Sequence, residues 1–191
     1  MHSLTHILVG VKAFDRKSPE FIFGLTAPDI PAIFPTKKSE LRYHETHDAE
    51  AYKKFKNKDL ALGFVSHYTV DAMCHNHGEW ERGLTFYTHN VPEYLVELWS
   101  VKNNPNVFDL AKRMYSINVN EVSSDMAQAF RKDYAYTKSL VERWLAMMGA
   151  IHTFTRVTKY LMPKMNNRIT HGLDKDVLDY VMACTKLEKE I

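Results

Sequence analysis

Cysteine is nearly absent from this chain of 191 residues, which contains only Cys74 and Cys184. Two cysteines cannot build a disulfide framework, and so low a count fits the reducing interior of a cell. No apolar run approaches the roughly 20 residues that a membrane-spanning helix requires. The segment from Met1 to Phe14 lacks the basic start, the apolar stretch and the small-residue cleavage site of a secretory leader. We therefore expect a cytoplasmic protein without a membrane span.

Neither sign of charge is in large excess, because the chain has 25 basic and 23 acidic residues and a net charge of only +2. This balance does not indicate a nucleic-acid partner. There is no internal repeat, no low-complexity tract, no phosphate-binding glycine loop and no Gly-x-Ser-x-Gly motif. The apolar fraction of 45% is that of a globular protein. The length fits one domain, which we place over residues 1–191.

Apolar residues recur with a helical period along most of the chain, and there is little sign of β-sheet. The pattern predicts a first helix over Leu4–Phe14 and a long helix from Asp59 to about Trp80. Asp29 lies between Pro28 and Pro31, which predicts a loop because proline disfavours helix at the residue before it. Further helices are predicted around residue 48 and over residues 90–101, 106–115, 121–148, 151–161 and 174–190, with a break or kink at Gly149. We expect an all-α, single-domain multi-helix bundle.

Histidine is abundant in one part of the chain, since eight of the ten histidines lie within the first 89 residues, among carboxylates. Imidazole and carboxylate are the ligands of catalytic zinc. Along the predicted long helix, His67, Asp71 and His75 lie on one face, and the rest of that helix is mostly apolar. A buried histidine and aspartate must be paired with each other or bind a metal. A His–Asp pair in the core is therefore the alternative to a metal site.

His75, at the end of this stripe, and the remaining histidines allow similar alternatives. His75 and His77 are near the end of the predicted helix, where the macrodipole favours histidine. His6 lies among apolar residues of the first helix and could be a core histidine. His89 and Glu93 are one turn apart, and Glu93 could be a capping residue. His152 and His171 have no carboxylate at ligand spacing and are interpreted as structural or surface residues.

The segment His44-Glu45-Thr46-His47-Asp48 contains an adjacent His47-Asp48 pair, as in the HD-type phosphohydrolases, which are also helical. It is not the zincin motif, because only two residues separate the histidines. Asp48 could equally be the N-cap of a helix. An HD-type phosphohydrolase therefore stays open as an alternative.

In combination, these segments resemble the zinc-dependent phospholipase C family, whose superfamily includes the single-strand-specific fungal nucleases. The resemblance covers the first half of the chain, up to about Trp99. It rests on Thr5-His6, Gly24-Leu25-Thr26-Ala27-Pro28-Asp29-Ile30, the His44/His47 segment, Gly63 to Asp71, Cys74-His75 and His89-x3-Glu93. It implies an all-α bundle of the phospholipase C and nuclease type, with three zinc ions in a cleft.

The resemblance also implies which residues hold these ions. The first zinc would be bound by Asp29, His44 or His47, His67 and Asp71. The second would be bound by His77 or His75, His89 and Glu93, with Asp29 near both ions. The third would use His6 and Asp71; in the secreted relatives an N-terminal tryptophan completes it, and this chain has Met1-His2 instead.

A phosphoesterase is the function that the resemblance implies. Two or three zinc ions, or other divalent metals, would activate a water molecule for attack on phosphorus, and Asp29 would orient that water or accept its proton. The substrate would be a small phosphodiester or phosphomonoester, or a phospholipid headgroup. A metal-binding helical protein without catalysis is the alternative from another class. The substrate, the metals and the oligomeric state cannot be read from the sequence.

Overall fold

The computed structural model describes residues 3–34, 41, 43–48, 50–77, 97–98 and 101–158. All regular secondary structure within these ranges is helical, which confirms the predicted all-α class. The α-helices are α1 (Ser3–Phe14), α2 (Pro19–Gly24), α3 (Ile30–Ile33), α4 (Tyr43–Thr46), α5 (Lys58–His77), α6 (Val107–Lys112), α7 (Val119–Phe130) and α8 (Tyr134–Thr158). Short 3-10 turns cover Ala27–Asp29, Ala51–Lys54 and Arg113–Ser116, and residues 97–98 and 101–103 are also helical. No helix in these ranges is long and apolar enough to cross a membrane.

The closest helix packing in the described core joins α2 to α5. A Cβ atom on Gly63 would overlap the carbonyl oxygen of Phe21 and would lie 2.8 Å from the Cα atom of Gly24. A Cβ atom on Gly24 would lie 2.7 Å from the carbonyl oxygen of Leu60. Both glycines are therefore required by the approach of the two backbones. This contact places the C-terminal end of α2 directly beside the N-terminal part of α5.

Helix α1 packs on the other side of the same junction. The side chain of Leu25, which follows α2, occupies the space where Gly10 has no Cβ atom. Leu25, Leu4 and Ile7 are fully buried in one core cluster. The first and fifth helices and the residues after α2 thus meet at one point, and this point positions the candidate site.

Helix α8 closes the core and supports the turn after α2. Trp144 is fully buried, and its indole N–H donates a hydrogen bond of 3.1 Å to Oγ1 of Thr26. The hydroxyl of Thr26 in turn donates to the carbonyl oxygen of Phe23 at 3.0 Å. Trp144, which is 118 positions from Thr26 in the sequence, thereby holds the segment that leads to Asp29.

Two predicted boundaries in the second half of the chain are wrong. The helix is not broken at Gly149, because α8 runs through this residue from Tyr134 to Thr158. The predicted helix over 121–148 is instead divided at Arg131, which adopts the left-handed conformation with φ 55°. Lys132 N–H then donates to the carbonyl oxygen of Ala127 at 2.9 Å, which terminates α7. A glycine inside a helix costs only about 1 kcal/mol, too little to break a well-packed one.

Smaller differences concern the loop segments. Asp29 is the last residue of the 3-10 turn Ala27–Asp29 and immediately precedes α3, whereas a plain loop was predicted. Around Asp48 the structure has α4 before this residue and a 3-10 turn after it. The long helix α5 matches its prediction within a few residues. The predicted helix over 174–190 lies outside the described residues.

Candidate metal centre

Five predicted ligands come together at the junction of α1, α2 and α5. His6 comes from the middle of α1, Asp29 from the end of the first 3-10 turn and His47 from the residue after α4. His67 and Asp71 lie one turn apart on α5. One nitrogen or oxygen atom from each of Asp29, His47, His67 and Asp71 lies within 4.8 Å of all the others. We call these four residues the metal centre, because together they can hold a metal ion.

The distances within the metal centre suit a shared ion better than direct hydrogen bonds. His67 Nε2 lies 3.6 Å from Asp29 Oδ1 and 3.5 Å from Asp71 Oδ2. His47 Nε2 lies 3.9 Å and 3.5 Å from the same two oxygens. Ordinary N–H···O bonds measure about 2.7–3.2 Å. Ligands of a tetrahedral zinc ion, each about 2.1 Å from the metal, lie about 3.4 Å from one another.

The ring of His67 is fixed by a hydrogen bond behind it. His67 is fully buried, and its Nδ1 atom lies 2.9 Å from the carbonyl oxygen of Leu25. A carbonyl oxygen only accepts, so Nδ1 carries the proton and donates it. This bond turns Nε2 towards the two carboxylates, where Nε2 has no hydrogen-bond partner within the described structure. Metal-binding histidines are usually oriented by such a second bond.

His47 is placed by the residue before it. The Thr46 hydroxyl donates a 2.8 Å hydrogen bond to the carbonyl oxygen of Pro28, the neighbour of Asp29. Thr46 is buried, and the side chain of His47 is also largely buried, with 10% exposed. The end of α4 is thereby tied to the 3-10 turn, and two ligands from different segments are held at one position.

Asp71 connects the metal centre to His6. Its Oδ2 atom faces His47 and His67, whereas its Oδ1 atom lies 3.2 Å from Nε2 of His6. The rings of His6 and His67 are stacked, with centroids 4.1 Å apart. The separation from His6 is that of a direct hydrogen bond, so Asp71 links His6 to the metal centre through its second oxygen.

The carboxylates and histidines of this site shift one another's pKa values. Burial alone would lower the pKa of His67, but Asp29 and Asp71 outweigh burial and raise that pKa to about 9. Burial raises the pKa of Asp71, yet the three histidines around it hold that pKa well below its usual range. For His6, burial and the neighbouring His67 lower the pKa to about 4. The negative field that holds a proton on His67 would equally attract a metal cation.

The other predicted ligands divide into two groups. His44 is exposed on α4 and lies outside the metal centre, so His47 is the histidine of this segment that faces the carboxylates. His75 and His77 belong to α5 by their backbone, but their side chains lie outside the described structure. His89 and Glu93 also lie outside the described residues. The proposed ligand set of the second zinc therefore stays a prediction.

Asp48 does not share the position of its neighbour His47. Its side chain is exposed, and Oδ1 accepts a 2.9 Å hydrogen bond from the backbone N–H of Glu50. This turn-forming bond is close to the predicted capping role. An HD-type site would need Asp48 at the metal, and the observed position does not favour that arrangement.

Glu97 is a residue of the site region that the sequence did not indicate. It is 2% exposed and accepts hydrogen bonds from the backbone N–H groups of Leu4 and Thr5, both at 3.0 Å. A carboxylate at this place stabilises the N-terminus of α1, which carries His6. Glu97 is more than 90 positions from these partners, and no local pattern connects the two segments.

Comparisons with protein-family models, with curated proteins and with solved structures returned no match for this chain. The site is therefore interpreted from its own residues and geometry.

Proposed function

We propose that this protein is a metal-dependent phosphoesterase of the zinc-dependent phospholipase C type. The observation that carries the proposal is the arrangement of two aspartates and two histidines from three segments of the chain. Their atoms are too far apart for normal hydrogen bonds and at the spacing of ligands around one ion. A buried polar group without such a role would be expected to form a short direct bond.

The chemistry of the donors supports zinc as the metal. Nitrogen and carboxylate oxygen, without sulfur, are typical of catalytic zinc sites and are also accepted by other divalent metals. His6 and Asp71 would hold a further ion, as the resemblance to the phospholipase C family implies. The number of ions, two or three, depends on residues beyond the described ones.

The proposed reaction is hydrolysis of a phosphoester. Bound zinc supplies Lewis-acid activation of a water molecule and of the phosphate oxygens. In this chain His67 is held in one tautomer by Leu25, and Asp71 stays ionised between three histidines. Asp29 is 16% exposed, more than the buried His67, and is the carboxylate that we assign to orient the water or accept its proton. The substrate class is a phosphodiester, a phosphomonoester or a phospholipid headgroup.

The test combines metal content with hydrolysis. Elemental analysis of the purified protein is expected to find two or three zinc ions per chain, with fewer in the His67→Ala, Asp71→Ala double variant. Hydrolysis is then assayed with bis(4-nitrophenyl) phosphate, 4-nitrophenyl phosphate and 4-nitrophenyl phosphorylcholine, one probe for each substrate class. We expect the double variant to lose more than about a hundredfold in rate, because even outer-shell changes at metal sites cost about 10–100-fold.

His44 and His47 provide a matched control three residues apart. His47→Ala should lower both metal content and hydrolysis, whereas His44→Ala should change neither, since His44 is exposed outside the metal centre. Asp48→Ala should also have no effect, while an HD-type enzyme would lose its metal. No bound metal after zinc is added back at neutral pH would contradict the proposal. Bound metal without hydrolysis of any probe would favour the non-catalytic alternative.

A further inference from the structure

A cavity of about 230 Å³ lies between α6, the 3-10 turn after it and the C-terminal half of α8. Phe108 contributes an aromatic wall, Tyr115 and His152 a polar end, and Lys112 and Arg156 two cations. None of these residues belongs to the metal centre. The cavity is smaller than the roughly 300–1,000 Å³ of a drug-sized site, so it fits a compound of on the order of ten non-hydrogen atoms.

The polar end of the cavity is organised by a directed chain of hydrogen bonds. The Ser3 hydroxyl donates to the buried carboxylate of Glu97 at 3.4 Å and therefore accepts from His152 Nε2, also at 3.4 Å. Burial lowers the pKa of His152 to about 4, so its ring is neutral and carries one proton. Nδ1 then accepts from the hydroxyl of Tyr115 at 3.0 Å. The lone pairs of the Tyr115 oxygen remain available to a donor in the cavity.

Gly149 keeps the cavity open. Among the described residues, a Cβ atom at this position would meet the Tyr115 hydroxyl at 3.8 Å, which is an ordinary contact distance. Gly24 and Gly63, in contrast, are required by touching backbones. A glycine in the middle of a helix costs about 1 kcal/mol, and packing against Gly149 does not require it. The glycine therefore leaves space beside α8 instead of allowing a close helix contact.

The rim of the cavity carries a net positive charge. Lys112 Nζ lies 2.8 Å from Asp109 Oδ1, which neutralises one of the two cations. Arg156 also lowers the pKa of Asp109, after the larger effect of Lys112, so the three groups share one region. Among the described residues of the rim, two cations and one carboxylate leave a surplus of one positive charge.

We propose that this cavity binds a small organic anion, a carboxylate or a phosphate monoester with a compact apolar body and a hydroxyl group. The anionic group would lie between Lys112 and Arg156, the body would pack on Phe108, and the hydroxyl would donate to the oxygen of Tyr115. This site is independent of the proposed phosphoesterase, because it shares no residue with the metal centre.

The test is a titration of the full chain with 4-hydroxybenzoate, followed by ¹⁵N–¹H correlation spectra. Shifts are expected at Tyr115, Gly149 and Thr153. Arg156→Gln should weaken binding about tenfold, as expected for loss of a charge-assisted hydrogen bond. Gly149→Leu should abolish binding by filling the cavity, and Gly149→Ala is the control for the change in helix propensity. A parallel titration with 4-hydroxyphenyl phosphate, which keeps the hydroxyl group, distinguishes a phosphate ligand from a carboxylate.

Two further samples separate this site from the metal centre and from nonspecific binding. Asp71→Asn should retain wild-type affinity for 4-hydroxybenzoate, whereas the neutral analogue 4-hydroxybenzamide should bind at least about tenfold more weakly. The proposal is overturned if the named residues do not shift up to about 10 mM ligand, the affinity range of compounds of this size. It is also overturned if Gly149→Leu binds like wild type, or if the amide binds as well as the acid.

Discussion

At the scale of single residues, His67 and His152 show that burial alone does not decide the charge of a histidine. Both are at most 7% exposed. Burial lowers both pKa values, but two carboxylates near His67 reverse the effect and raise its pKa to about 9. The hydrogen-bond partners of His152 among the described residues are hydroxyl groups, which carry no charge, so burial prevails and its pKa falls to about 4. The neighbouring groups, and not the depth of burial, therefore explain why the pKa of the candidate ligand His67 is raised and that of His152 is lowered.

His152 gives a prediction about pH. In the unfolded chain its pKa is about 6.5, so between pH 6.5 and about 4 the unfolded state binds more protons than the folded state. Its contribution to stability is therefore complete above pH 6.5 and is lost as pH falls towards 4, by at most about 3 kcal/mol. Urea unfolding of wild type and His152→Gln at pH 7 and pH 4.5 measures this difference. Equal pH dependence in both proteins would contradict the assignment.

Asp125 supports a second prediction at the residue scale. This carboxylate is 7% exposed and accepts hydrogen bonds of 2.8 Å from the backbone N–H groups of both Lys56 and Asn57, just before α5. Asp125→Asn should lower the free energy of unfolding by about 1.5–3 kcal/mol, because a buried charge-assisted acceptor is lost. Asp109→Asn is the control, since its pair with Lys112 is exposed to solvent and should contribute little to stability. If chemical denaturation showed a similar loss of unfolding free energy for Asp125→Asn and Asp109→Asn, the structural role of Asp125 would be refuted.

At the scale of helices, glycine has opposite effects on stability at positions 63 and 149. Gly63→Ala would force a Cβ atom against the backbone of α2, so α5 and α2 must separate. We expect a loss of about 1–3 kcal/mol, as for other overpacked core positions. Gly149→Ala meets only ordinary contacts and should stabilise the protein by about 0.5–1 kcal/mol, the difference in helix propensity. Thermal unfolding of both variants tests this pair of predictions. The free energy of unfolding must fall for Gly63→Ala and rise for Gly149→Ala.

The predicted helix boundaries agree with the structure where local sequence sets them. They disagree where a helix ends through an unusual backbone conformation of its last residue. The helical period of α1 located that helix, and the long, mostly apolar segment without proline located α5. The division at Arg131 was missed because an arginine in the left-handed conformation has no characteristic sequence signal, in contrast to glycine. Asp133, whose carboxylate accepts from Tyr136 N–H at 2.8 Å near the start of α8, was an available indication of a new helix.

At the scale of the whole molecule, the metal centre joins α5, the first 3-10 turn and the residue after α4. An ion bound there would oppose separation of these segments, so zinc at a hundredfold excess over Kd should stabilise the fold by about 2.7 kcal/mol. For a chain of this length the melting temperature should rise by about 5–10 °C. Calorimetry with zinc and with a chelator measures this rise. His44→Ala should show the full rise and His47→Ala little of it, and a rise in neither wild type nor His44→Ala would contradict the coupling.

The sequence by itself determined the all-α class and the location of α5, because long apolar segments that no proline interrupts form helices. It also indicated His67 and Asp71 as neighbours, since residues four apart on a helix share a face. Only the tertiary structure decided between His44 and His47, because this choice depends on how Thr46 bonds to Pro28. The place of Glu97 at the start of α1 and the cavity beside Gly149 were likewise decided by packing between distant segments. Local spacing specifies which side chains share an element, whereas long-range contacts specify which elements meet.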